Sequence, residues 1–422
     1  MNQLREFHIM KIKFWFNIFA LIELFYSICA SAEMKNSMVR AQVRSVNTAY
    51  TDLMLEERRF PEFQLGIGGS IVMVHGNIIL GKADATFVKI DPRFWVFENN
   101  YLPAIATGEK GLSKSLRYTF QEVSPRVTDL VYDNGIYYVA YTRYSISDDF
   151  IYFEIAKIKP GDNSWKKIYQ SPGLETPNYT MANGGRMGIR GEKLFFTVGD
   201  FGLDRIDGLA SDIAPQNPDL PWGKVSYINL KDGTFHIYTL GHRNALGLVF
   251  LKDGTLLTTE NGPQGGDEIN IIKEGLNYGW PYESYGTNYG SFTQIRDNLP
   301  RDTSGNKYEL PMYAFVPSVA LGEIIQISGF HKKWADNLLV GSLKAMTLFH
   351  IKLNKNHVLF VEPINIGHRI RGLKQSGRYI YVLTDDNLII KIFAYARPED
   401  SIAKKMYKRV ANKIKRVTED LK

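Results

Sequence analysis

The densest set of side chains able to do chemistry lies between Gly241 and Pro281. It begins Gly241-His242-Arg243-Asn244-Ala245-Leu246-Gly247-Leu248 and continues with Thr259-Glu260-Asn261-Gly262-Pro263. Gly265-Gly266-Asp267-Glu268-Ile269-Asn270 follows, and the set ends at Gly275-Leu276-Asn277-Tyr278-Gly279-Trp280-Pro281. An arginine can hold a ligand carboxylate through a planar fork of N–H groups. Backbone carbonyls around Gly262-Pro263, with Asp267-Glu268 close by in sequence, suit a hard cation such as calcium. The same residues could equally form a structural loop braced by ion pairs. The single cysteine, Cys29, sits in a segment expected to be removed. The mature chain would then offer no disulfide, thiolate nucleophile, cysteine-bound zinc, iron–sulfur cluster or covalent haem. Redox chemistry would need a cofactor held without a covalent bond.

Such residues need a framework to bring them together. With 24 Tyr, 24 Phe and 36 Gly, the composition favours a turn-rich β protein. A recurring unit supports this: a β-rich stretch, a Gly or Asn turn, a short apolar and aromatic strand, then small polar residues. Six copies centre near Ile79, Tyr138, Phe196, Leu257, Val340 and Val382. Asn134-Gly135 and Asp253-Gly254 lie between alternating runs, as hairpin turns do. Six copies without long helices between them predict an all-β, six-bladed β-propeller over 61–398. Two β-sandwiches would not need one motif repeated six times. A stretch rich in Gly, Tyr, Asn and Pro, from Gly275 to Pro317, reads as an insertion on the face that shapes a site. Residues 33–60 read as a polar segment outside the blades, with weak helical character around Thr51–Arg59.

The stretch GHRNALGLVF…TENGPQGGDEINIIKEGLNYGWP resembles the signature of soluble aldose dehydrogenases that use pyrroloquinoline quinone (PQQ), the glucose/sorbosone dehydrogenase family. GGRMGIRGEKLFFTVGD, FVPSVAL, NLLVGSLK and HRIRGLKQSGRYIYVLTDD match in the family's order, across most of residues 66–390. The resemblance implies that Arg243 and Asn244 line the quinone site. It implies that the carbonyls of Gly262 and Pro263 hold a calcium ion touching the cofactor. Lys344, Arg369 and Arg371 would bind cofactor carboxylates and quinone oxygens. Glu268 and the Tyr278 carbonyl would hold a structural calcium. PQQ is a tricarboxylate, so these cationic side chains and a divalent ion would offset its charge.

One departure concerns catalysis directly. The family places a general-base histidine four residues before the Arg of its GGR-type motif; here Ala182-Asn183-Gly184-Gly185-Arg186 puts alanine there. Alanine carries no proton, and losing a general base costs about 10²–10⁴-fold in rate. A second departure is Leu246, where close relatives have a polar cofactor contact. His368, next to Arg369, is a candidate substitute base.

The ends of the chain carry separate signals. Lys11 and Lys13 precede the apolar run Phe14 to Ala30, and Ala30-Ser31-Ala32 is a small-x-small cleavage site, so 1–32 reads as a signal peptide. The run is slightly short for a membrane span, and Glu23 inside it would be costly in lipid. The tail, 399–422, has apolar residues at Ile402, Met406, Val410, Ile414, Val417 and Leu421 and a basic opposite face. It reads as an amphipathic helix, either packed on the propeller edge or touching an anionic membrane surface. The formal charge is +7, of which the two ends carry most. The body is close to balanced, which argues against a nucleic-acid-binding surface.

Together these features point to a periplasmic or secreted oxidoreductase that binds PQQ and calcium. It would oxidise an aldose or other alcohol and pass electrons to an acceptor. The rival reading is a non-catalytic ligand-binding propeller of the same descent. A calcium-dependent lactone hydrolase lacks the Glu, Asn and Asp ligands spread over several blades. Export predicts a mature protein beginning at Glu33. Intact-mass measurement checks this, and a full-length membrane-embedded product would refute it.

Overall fold

The computed structural model of the chain describes residues 41–60, 68–105, 126–145, 147–148, 150–175, 182–206, 213–305 and 307–395. The expected signal peptide and C-terminal helix lie outside these residues. The described residues form six antiparallel sheets arranged as propeller blades. The inner strands are Ser70–Val74, Arg126–Asp133, Gly184–Arg190, Ala245–Phe250, Leu321–Gln326 and Ile370–Ser376. Each packs on the next, and the sixth packs on the first to close the ring. Five of the six sequence repeats are the first hairpin of a blade. The fifth copy covers the loop into the second strand, Leu338–Ser342.

Residues 33–60 need a correction. Asp52–Arg59 is a strand, paired antiparallel with Leu388–Tyr395, and Ala41–Asn47 pairs with it at the sheet edge. The sixth blade therefore takes its inner strands from the C-terminal end and its outer strands from the N-terminal end. The charges in Asp-Leu-Met-Leu-Glu-Glu-Arg-Arg suggest a helix, but burial alternates with a period of two. Leu53 and Leu55 face a core containing Trp334, Ile380, Val382, Ile390 and Ile392. That tertiary contact overrides the local preference.

One guanidinium joins all six inner strands at the channel centre. Arg186, on the third blade, donates from Nε to the Leu246 carbonyl of the fourth at 2.8 Å. Its Nη2 donates to the Arg371 carbonyl of the sixth at 2.6 Å. Nη1 lies 3.4 Å from Asp129 Oδ1 on the second blade and 3.0 Å from Glu323 Oε2 on the fifth. Ser70, on the first blade, donates to Asp129 Oδ1 at 2.6 Å. Lys374 Nζ lies 3.3 Å from Glu323 Oε1. Burial pushes the Glu323 carboxyl up, against the lowering effect of Lys374 and Arg186.

The closing strand supplies a direct test. Leu55→Ala opens a cavity in the sixth-blade core and should destabilise by about 2–5 kcal/mol. Val43→Ala, on the exposed edge strand, should stay within about 0.5 kcal/mol of the parent. Urea unfolding of both variants measures the contrast, and equal losses would mean that the strand does not close the ring.

Candidate functional site

Strand register decides where the motifs meet. In each blade the start of the inner strand pairs with the end of the second strand: Gly184 with Val198, Ala245 with Glu260, Leu321 with Ser342 and Ile370 with Thr384. The residues just before each inner strand and just after each second strand therefore share one mouth of the propeller. That places Ala182, Asn183, Arg243, Asn244, Gly262, Pro263, Lys344, Arg369 and Arg371 at the same end.

On the fourth blade, Arg243 Nη1 donates to the carbonyls of Asn261 at 3.0 Å and Gly262 at 2.9 Å. Its guanidinium stands 5.4 Å from the centre of the Trp280 ring. Its backbone N–H donates to Glu260 Oε1, whose other oxygen lies 2.9 Å from His242 Nδ1. His242 is fully buried, with Nε2 2.8 Å from Thr239 Oγ1 and its ring stacked on Tyr278 at 4.7 Å. The Arg-Asn turn is thus held from below by a buried polar chain. Asn244 Oδ1 accepts from the Gly184 N–H at 3.1 Å, tying the turn to the third blade.

The Gly262-Pro263 loop is pinned by Asp267. Its Oδ1 accepts from the Gly262 N–H at 3.0 Å, and its Oδ2 accepts from the N–H groups of Val319 and Ala320, each at 2.6 Å. Lys344 N–H donates to the Val319 carbonyl at 3.1 Å, and the Lys344 side chain is exposed. One carboxylate therefore couples the expected calcium loop to the loop bearing Lys344. The insertion covers the same loop: Gln264 and Thr287 exchange backbone hydrogen bonds at 3.2 and 3.1 Å.

A hard cation at this loop would have to be held mainly by neutral oxygens. Among the described residues, no group of three or more His, Cys, Asp or Glu side chains could hold a metal. The oxygens on offer are carbonyls and amides instead. Asn261 Oδ1, beside Gly262, is buried without a hydrogen-bond partner, and so is Asn270 Oδ1, whose Nδ2 donates to Glu268 at 3.1 Å. Glu268 lies opposite Glu260 in the register. Burial, then repulsion from Glu260, pushes its carboxyl up to about 8. Tyr278 Oη donates to the Ile271 carbonyl at 2.5 Å.

On the sixth blade, Arg371 makes a two-point contact with Asp385, at 2.8 and 2.9 Å. Arg369 reaches the same carboxylate at 3.1 Å and the Leu343 carbonyl at 3.5 Å. His368 does not line the cleft. Its Nδ1 lies 2.9 Å from Asp386 and its Nε2 3.8 Å from Glu57 on the N-terminal strand, which makes it a brace of the sixth blade.

A cleft beside Arg186 is lined by Gly69, Arg126, Thr128, Asn183, Leu246 and Arg371, among others; of the residues expected from sequence to bind the quinone, Arg371 alone is among its lining. Ala182 is fully buried, and its carbonyl accepts from the Phe201 N–H at 3.1 Å. Gly185 needs φ of +94°, and a Cβ there would collide with Thr128 Oγ1 of the second blade. Gly185 thus permits close contact between the inner strands of the second and third blades, and Gly184 between the two strands of its own hairpin.

The sequence pattern described as Glucose / Sorbosone dehydrogenase matches residues 128–390. The chain belongs to the glucose/sorbosone dehydrogenase family. Aldose sugar dehydrogenase YliI of Escherichia coli (strain K12) is 30% identical over 230 residues, 52% of this chain and 60% of that protein. Quinoprotein glucose dehydrogenase B of Acinetobacter calcoaceticus is 28% identical over 271 residues, 46% of this chain and 56% of that protein. The chain thus spans less than two thirds of the length of the curated relatives it matches. The PQQ-bound aldose sugar dehydrogenase from Streptomyces coelicolor shares the fold, with a TM-score of 0.56 and 17% identity over 85% of this chain and 99% of that one.

Within this family member, sequence reasoning did not single out Asp200, Asp385 or Arg126. Asp385 begins the Asp-Asp pair of a quoted motif, so it had a signal. Arg126 is a lone arginine at a strand start and had none. Asp200 is buried and accepts from Trp280 Nε1 at 2.8 Å. Burial pushes its carboxyl up to about 8, helped by Asp204 and opposed by Arg243 and by hydrogen bonds from Gly202 and Trp280. The folded protein therefore keeps a proton that the unfolded chain loses near pH ~4. Stability should fall as pH rises from about 4 towards 8. Asp200→Asn should flatten that slope in urea midpoints taken across the range, and an unchanged slope would show that Asp200 is ionised when folded.

Proposed function

We propose that the chain is an exported oxidoreductase that binds PQQ with calcium at this mouth and oxidises an aldose or other alcohol. The observation that carries the reading is the convergence, through strand register, of Arg243, Asn244, Gly262, Lys344, Arg369 and Arg371 from three blades. The names of the relatives, a quinoprotein glucose dehydrogenase and an aldose sugar dehydrogenase, support the same class. When bound, the quinone supplies a two-electron acceptor for substrate hydride. The chain's own residues bind and orient. Arg371 and Arg369 offer the fork that now rests on Asp385, and Lys344 offers an exposed point charge. Arg243 Nη1 already donates to the Gly262 carbonyl, so calcium held there would have to displace or share that contact. Turnover would also need a separate electron acceptor.

A second reading, a non-catalytic ligand-binding propeller, is favoured by Ala182. With a methyl group there, no side chain at that position takes the proton of the substrate hydroxyl.

Titrating PQQ into the mature protein, with calcium or with chelator, tests binding by absorbance. Uptake should require calcium, and Arg371→Ala should weaken it by about tenfold or more, since a ligand carboxylate loses a charged partner. Equal affinity with and without chelator would remove calcium from the account. Ala182→His should raise dye-linked aldose dehydrogenase activity by about 10²-fold or more. No rise in a variant that binds PQQ and calcium would favour the binding-protein reading.

A further inference from the structure

The loop that carries Gly262 and Pro263 is the footing of an aromatic hairpin. A Cβ on Gly266 would stand 2.6 Å from the Tyr285 carbonyl carbon, and one on Gly286 would stand 2.9 Å from Pro263 Cδ, so the two segments touch through their backbones. Beyond that contact, Thr287 bridges to both Gln264 and Gln294. The Asn288 N–H donates to the Thr293 carbonyl at 2.9 Å, and the Gln264 side chain accepts from the Gly290 N–H at 3.0 Å. The hairpin is therefore fixed to the residue that follows Pro263, at the candidate mouth. Its rings are nonetheless turned out: Phe292 is 72% exposed and Tyr285 49%. Phe292 also sits at φ +56°, a conformation that a bulky residue rarely adopts. Folding favours neither feature, since burial would stabilise the ring and glycine would relieve the backbone. Ser291 and Thr293 flank Phe292, both exposed, with their hydroxyls 2.9 Å apart.

We infer that Tyr285 and Phe292 stack on pyranose rings, so that the chain takes an oligosaccharide whose reducing end enters the mouth while its outer units lie across the hairpin. This rests on the mouth being the substrate site. Backbone strain at an exposed ring is what a ligand contact accounts for and packing does not. A pyranose presents an apolar C–H face and a hydroxyl edge. An aromatic ring suits the face, and the hydroxyls and amides beside it suit the edge. In a β-1,4-linked glucose chain every ring substituent is equatorial, which leaves both faces flat and apolar. A lipid surface or a protein partner would call for a continuous apolar patch, whereas Phe292 is set between hydroxyls. The platform belongs to the insertion and not to the inner strands, so a single sugar held at the strand ends leaves it unused.

The test uses the mature protein and its Tyr285→Ala, Phe292→Ala and Phe292→Tyr variants, each checked for a parental melting temperature. Cellotetraose and d-glucose are titrated by calorimetry, with and without PQQ and calcium and with no electron acceptor added. PQQ uptake is followed separately by absorbance. The parent should bind cellotetraose about tenfold or more tightly than d-glucose, and each alanine variant should lose about threefold or more of the cellotetraose affinity. Phe292→Tyr should keep it. PQQ uptake and d-glucose affinity should stay at the parental level in all three variants. Equal affinity of the parent for the two sugars overturns the inference. So does a cellotetraose preference that survives both alanine substitutions, because the outer units would then lie elsewhere. If the parent takes up no PQQ, the cofactor reading fails by itself. The titrations without cofactor then decide the platform: cellotetraose binding weakened in Phe292→Ala supports it, and no binding refutes it.

Discussion

A propeller has no single core; its blades are separate sheets that must be locked around an axis. Here the Arg186 guanidinium provides much of that lock, because its partners lie on four other inner strands and Asp129 brings in the remaining one through Ser70. Removing such a charge would leave Asp129 and Glu323 as buried carboxylates with a lost partner, a change that costs about 3–5 kcal/mol in comparable cases. The gain from the charges is partly cancelled by desolvation, as the raised Glu323 carboxyl records. The network therefore contributes more to alignment than to net stability. Because Arg186 holds the carbonyls of Leu246 and Arg371, it sets the heights of two blades whose neighbouring residues form the candidate site.

That alignment explains how distant motifs act together. Arg243 and Arg371 are more than a hundred residues apart, yet each stands at the start of an inner strand, where blade symmetry assigns equivalent positions. The second layer is built from carboxylates. Asp267 ties the Gly262 loop to Val319 and hence to Lys344, Asp385 pairs the two arginines of the sixth blade, and Glu260 fixes the Arg243 backbone. Each anion holds a cation or an N–H group in place, so the loops at this mouth are assembled with their charges satisfied within the chain.

Alanine stands at 182 and leucine at 246, where the family resemblance implies a histidine and a polar residue. These two positions lie at the inner strands of the third and fourth blades. Arg243, Asn244, Lys344, Arg369 and Arg371, on the fourth to sixth blades, are the residues that the family resemblance implies.

The repeated hairpins, with their alternating apolar residues and Asn-Gly or Asp-Gly turns, were sufficient by themselves to establish an all-β propeller of six blades, because both signals are local. The family motifs that contain Arg243, Gly262, Lys344 and Arg371 were legible for the same reason: residue type and short spacing carry them. What only the tertiary structure decided depends on contacts between distant segments. Asp52–Arg59, whose charges resemble a helix surface, became a strand because Leu53 and Leu55 find their core on the C-terminal end of the chain. His368 lay beside the cationic motif in sequence but turned to Asp386 and Glu57. Arg126 and Asp200 carry no motif, and their placement follows from inner-strand packing and burial. A short-range pattern records what a segment can form; which segment closes a ring, and which side chain is buried, is set by long-range packing.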